Sequence, residues 1–100
     1  SKQLWQLMLD AEIELARRGS GSAETYQKLL SRVSQASTAG MLSPYLADYY
    51  NGVLYERLGK HRQSLSAYEN ALSRATTPKD RIRAQSKVSE LRIQIAMASG

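Results

Sequence analysis

The side chains that could support acid–base or covalent chemistry are one histidine, nine carboxylates and a scatter of serines, with no cysteine. Nucleophilic catalysis needs a nucleophile, a base and an orienting group converging on one pocket. His61 falls just after a turn, at the start of a helix, where exposure is expected. The serines occupy turns, helix caps and close-packing positions. A chain without cysteine has no disulfide framework and no thiolate metal site, and one histidine among scattered carboxylates makes no zinc site. Gly19-Ser20-Gly21 lacks the lysine and the preceding strand of a phosphate-binding loop. The sequence therefore reads as non-enzymatic, with no cofactor and no metal. Its chemistry is that of binding: tyrosines, aliphatic residues and cations at helical spacing.

The elements that position these residues centre on Tyr50–Leu72. Two short helices meet there at a tight turn, with Leu58-Gly59 ending the first, since glycine takes a left-handed C-terminal cap without steric cost. Ser64, Tyr68 and Ala71 stand at i, i+4 and i+7 on one face of the second. Small residues (Gly52, Ser64, Ala71) let the two backbones approach. Large ones (Tyr55, Tyr68, Leu72) fill the space between them.

The series Gly52, Tyr55, Ser64, Tyr68, Ala71 resembles one tetratricopeptide repeat in residue type and spacing. It departs from the pattern at Asp48, where an early aromatic is usual, at Asn51, and at Pro78, which comes late. The resemblance implies an all-α fold of antiparallel helix pairs in a short right-handed stack. One domain would span 1–100: a degenerate first pair over 2–42, the best-matching repeat over 43–76 and a closing helix over 77–98.

Helical spacing agrees along the rest of the chain. Residues 2–18 form a first helix whose Leu4, Trp5, Leu7, Met8, Leu9, Ala11, Leu15 and Ala16 cover more than half of its circumference. A helix so widely apolar is usually contacted on more than one side. Glu12 interrupts this surface, either at an edge in water or half-buried against a partner's cation. Arg17 and Arg18 suit the last turn, where the helix dipole favours positive charge. Ser22 is a candidate N-cap for a second helix, roughly Ala23 to Ser37. Tyr26, Leu29, Leu30 and Val33 form its apolar face, and Tyr26-x-x-Leu29-Leu30 echoes Tyr68-x-x-Ala71-Leu72. The two tyrosines stand further apart than one such repeat, and the segment Ser37–Leu42 is expected to supply the excess as a loop. Ser43-Pro44 opens the third helix, which runs to Leu58, and the fourth runs from His61 to about Ala75. Thr77 caps the fifth, with Asp80 at the capping-box position. Ala84, Val88, Leu91 and Ile95 form its inward seam, with Ile82 beside it.

By the resemblance, the first helix of each pair lines a concave surface. Leu46, Tyr49, Val53, Glu56 and Arg57 would lie there, with Arg83 and Lys87 on the closing helix, and would hold a peptide or a partner's helix. Relatives of the co-chaperone kind grip a C-terminal carboxylate with lysines and asparagines; this chain offers Arg83 and Lys87 but no asparagine–lysine pair on the first helix. The formal net charge of +5 favours an acidic partner. An alternative is self-association through Trp5, Leu9 and Ile13, should the opposite stripe of the first helix face inward. A third, nucleic-acid binding through Arg74, Lys79, Arg81, Arg83, Lys87 and Arg92, fits poorly: acids interleave with these cations and no aromatic stacks among them. No apolar run reaches the length of a membrane span. No signal sequence opens the chain, which says little about compartment; the compartment is left unknown, with a cytoplasmic setting the one favoured.

Overall fold

Capping chemistry sets the helix boundaries in the computed structural model, which describes residues 1–19 and 21–99. Ser20, at the centre of the first glycine–serine link, lies outside the described residues. Five α-helices follow one another: α1 (Lys2–Arg18), α2 (Ala23–Thr38), α3 (Pro44–Arg57), α4 (His61–Arg74) and α5 (Pro78–Ser99). Ser22 Oγ accepts from Thr25 N–H at 3.2 Å and Ser43 Oγ from Leu46 N–H at 3.2 Å. Thr77 Oγ1 accepts from Asp80 N–H at 3.1 Å. Each satisfies a donor that a helix N-terminus leaves open.

The ends of α2 and α3 share one device. Gly59 takes φ 74°, Lys60 N–H donates to Tyr55 O at 2.9 Å and Gly59 N–H to Glu56 O at 3.0 Å. Gly40 takes φ 74° as well, with Met41 N–H on Ala36 O at 2.8 Å and Gly40 N–H on Ser37 O at 3.0 Å. This is the Schellman closure, in which glycine adopts the left-handed conformation and two orphan carbonyls find donors. The segment Ser37–Leu42 is accordingly less of a loop than expected. It closes α2 and then turns inward, with Leu42 buried and Met41 packed on the same core. The excess length of the first pair is shared with its helices: α1 and α2 have 17 and 16 residues, α3 and α4 have 14 each.

Consecutive helices pack on one another, and the α3–α4 interface is the most extensive. At its centre Gly52 faces Tyr68: a Cβ on Gly52 would lie 2.7 Å from the tyrosine ring. Ser64, fully buried, donates its hydroxyl to Gly52 O at 2.7 Å. The small residues thus serve close helix approach, and Tyr68 fills the space beside them with its hydroxyl donating to Glu56 Oε1 at 3.2 Å. Where the repeat pattern has an early aromatic, Asp48 instead pairs with Arg74 of α4 at 3.0 Å.

The core is divided. One cluster joins α1, α2 and α3 through Leu9, Ala16, Tyr26, Leu29, Val33, Ala36, Leu42, Ala47, Tyr50 and Leu54. Two smaller ones join α3, α4 and α5, through Tyr45, Ala71 and Ala84, and through Tyr68, Val88 and Leu91.

Two sequence expectations are corrected here. Leu9 is wholly buried, and Trp5 and Ile13 pack beside it on the first cluster. The exposed apolar face of α1 is the opposite one, Leu4, Leu7, Met8 and Leu15. Leu9 and Ala16 face α2 and α3, and the exposed stripe lies about half a turn away at 100° per residue. Ile82 likewise points away from the α5 seam of Ala84, Val88 and Leu91 and is 71% exposed.

Candidate partner-binding groove

Alternate helices lie side by side. Tyr50 Oη donates to Asp10 Oδ1 at 2.7 Å, joining α3 to α1. Tyr45 Oη donates to Asp80 O at 3.2 Å, joining α3 to α5. Lys87 Nζ reaches Glu56 Oε1 at 3.9 Å further along the same pair of helices. The faces of α1, α3 and α5 therefore form one continuous surface with α3 in the middle.

Tyr49 is its aromatic centre. The ring lies 5.2 Å from Tyr68 at an interplanar angle of 69° and 5.9 Å from Tyr45, spacings at which aromatic pairs attract beyond their buried area. The Arg83 guanidinium stands 5.8 Å above the same ring, within reach of a cation–π contact. Tyr49 and Val53 line a shallow pocket of about 260 Å³ with Tyr50 of α3 and Asp10, Ile13 and Glu14 of α1. Leu46 lines a neighbouring depression with Tyr45, Asp80 and Gln6. Of the seven residues expected on this surface, Leu46, Tyr49 and Val53 form a half-buried apolar floor, and Glu56, Arg83 and Lys87 stand along the α5 side. Arg57 is exposed at the last residue of α3, outside the contacts that join the others.

Electrostatics differ between the two walls. On the α1 side, Glu14 is held at a pKa of about 2 by hydrogen bonding to Arg17, with Arg18 adding to the effect. Asp10 beside it accepts from Tyr50. On the α5 side, Arg83 and Lys87 supply positive charge, partly balanced by Glu56 and Glu90. Burial raises the Tyr49 phenol above its usual value, as it does Tyr45. It raises Tyr50 and Tyr68 much further, aided at Tyr50 by the hydrogen bond to Asp10 and at Tyr68 by the Glu56 charge. All four phenols therefore stay neutral at physiological pH.

Sequence reasoning missed the α1 wall: Asp10, Ile13 and Glu14. A signal existed, since Asp10 and Glu14 stand at i and i+4 with Ile13 between them. Its use depended on knowing which apolar stripe of α1 faces inward. Glu12 is half-buried, and the cation it holds is the chain's own Arg32, at 2.6 Å across the α1–α2 contact. Comparisons with protein-family models, with curated proteins and with solved structures find no match.

Proposed function

We propose that this chain is a short tetratricopeptide-like module that holds a peptide or a partner's helix along the α1–α3–α5 surface, as a non-enzymatic adaptor or scaffold element. The observation that carries it is the floor of Tyr49, Val53 and Leu46, edged by Asp10 and the Glu14–Arg17–Arg18 cluster on α1 and by Arg83 and Lys87 on α5. An apolar anchor flanked by opposite charges seats one side chain and fixes the direction of the rest. A bound segment would place its acidic residues along Arg83 and Lys87 and a basic one beside Asp10, since Glu14 is already held by Arg17 and Arg18.

The repeat reading has two supports. Parallel contacts recur between residues 40 apart, from α1 to α3, and 35 apart, from α3 to α5. The echo noted in sequence is also an echo in burial: Tyr26 and Tyr68 are buried, Leu29 and Ala71 are buried, and Leu30 and Leu72 are half-buried. Nucleic-acid binding is the weaker reading, since Arg74, Lys87 and Arg92 are engaged with Asp48, Glu56 and Glu69. No helix among the described residues is long and apolar enough to cross a membrane.

The test is selection from a displayed random peptide library, followed by mapping of amide resonance shifts. Selected peptides should shift Tyr49, Val53, Arg83 and Lys87 together. Lys87→Glu, which reverses one wall, should weaken them about tenfold, or ~1.4 kcal/mol. Shifts confined to other surfaces, or affinity unchanged by Lys87→Glu, would refute the groove.

A further inference from the structure

An arginine side chain carries five N–H donors in a fixed planar fork, and a carboxylate or phosphate matches that fork best. Three cations of α5 differ in whether this demand is met. Arg92 is held by Glu69 at 3.0 Å, and Lys87 stands 3.9 Å from both Glu56 and Glu90. Among the described residues Arg83 alone of the three makes no ion pair; its guanidinium lies 5.8 Å above the Tyr49 ring instead. The ring attracts the charge but satisfies none of the five donors. Arg83 is exposed, so a ligand in the groove can reach them.

Tyr49 joins this donor set to an apolar seat. The same ring lines the pocket of about 260 Å³ with Val53 and Ile13. The acids at the rim of that pocket are already matched: Asp10 accepts from Tyr50, and Glu14 is held by Arg17 and Arg18. What the pocket offers a ligand is therefore chiefly apolar surface. One ligand side chain entering it and another reaching Arg83 would straddle a single tyrosine ring. Side chains that close belong to residues two apart in an extended segment, about 7 Å, or three to four apart in a helix, about 5–6 Å.

The neighbouring charges select among anions. Asp80 stands one turn before Arg83 on α5, and Glu56 and Glu90 flank Lys87 one turn after it. A phosphate carries close to two negative charges at neutral pH, so these acids repel it about twice as strongly as they repel a carboxylate.

The geometry points to a ligand that carries an acidic side chain within about four residues of an aliphatic one. The aliphatic group enters the Tyr49–Val53–Ile13 pocket, and the carboxylate takes the Arg83 fork. Lys87, shared between two carboxylates, adds positive field without a direct contact. This rests on the reading of the α1–α3–α5 surface as a groove, and adds to it the chemistry of the ligand and the residue that selects it.

The probes are peptides selected from the displayed library, each paired with a copy whose acid is replaced by the corresponding amide. Both are titrated calorimetrically against wild type and Arg83→Gln. The replacement should cost about tenfold on the wild type and little on Arg83→Gln, the sign that the two groups meet. Arg83→Lys keeps the charge without the fork and should recover only part of the affinity. Position 83 is exposed, so circular dichroism should show unchanged helicity. Equal losses on wild type and Arg83→Gln overturn the inference, as do selected peptides with no acid near their apolar residue. The groove survives either result if Tyr49 and Val53 resonances still shift. A phosphoserine that binds more tightly than the acid it replaces overturns the choice of a carboxylate. Peptides that leave Tyr49 and Val53 unshifted overturn the groove and this inference with it.

Discussion

Gly52 and Ser64 concentrate the packing problem of the α3–α4 pair into two residues. An alanine at position 52 would gain about 1 kcal/mol of helix propensity. It would also press its Cβ to 2.7 Å from a tyrosine ring that is fully buried and cannot swing away. Overpacking of this kind costs about 1–3 kcal/mol, so Gly52→Ala should be net destabilising in urea titration. Ser64→Ala loses one hydrogen bond, about 1 kcal/mol. Ser64→Leu adds bulk against Gly52 and should cost distinctly more than Ser64→Ala; equal costs would mean that the crossing is loose. These two residues were legible in sequence because only a close backbone approach accounts for small side chains between large ones. The Asp10–Tyr50 bond was not, since nothing in the spacing of residues 40 apart indicates which hydroxyl will meet which carboxylate.

At the scale of the element, helix existence and ends were readable because caps are local chemistry. Ser22, Ser43, Thr77 and Gly59 each act within four residues of themselves. The rotational phase of α1 was not readable. Both of its stripes are apolar, and the choice between them rests on α2 and α3, which receive Leu9, Trp5 and Ile13. Truncation distinguishes the two faces. Leu9→Ala should cost about 2–5 kcal/mol through the cavity it leaves, and Leu7→Ala should stay within about 0.5 kcal/mol. Reversed costs in thermal or chemical denaturation would restore the opposite phase. The ion pairs Glu12–Arg32, Asp48–Arg74 and Glu69–Arg92 tie neighbouring helices, though pairs this exposed contribute little each. Burial raises the Asp48 carboxyl in spite of Arg74, so that pair adds less stability than its 3.0 Å separation suggests.

For the molecule as a whole, the tyrosines govern the response to alkali. Four of the six, Tyr45, Tyr49, Tyr50 and Tyr68, have phenols raised above the ordinary value of 10.0. In the unfolded chain they ionise near that value, whereas the folded protein keeps its protons longer. The folded state then binds more protons above pH 10, so stability is fully present below about 10 and declines as pH rises further. Melting temperature should therefore fall above pH 10, and the phenolate absorbance of these four should appear in step with loss of helix rather than before it. Tyr68→Phe should flatten that decline. Ionisation of these four tyrosines ahead of unfolding would show that their rings are less enclosed than the packing implies.

The division of the core has a mechanical consequence for the groove. Its floor and cationic wall belong to the three C-terminal helices, bound together by the tight crossing at Gly52. Its acidic wall belongs to α1, whose contact with its neighbour α2 is the thinnest of the consecutive interfaces. Local opening of this surface therefore begins at α1, the helix with the least packing against its neighbour in sequence. A peptide held as proposed would meet its firmest support on α3 and α5 and its softest on α1.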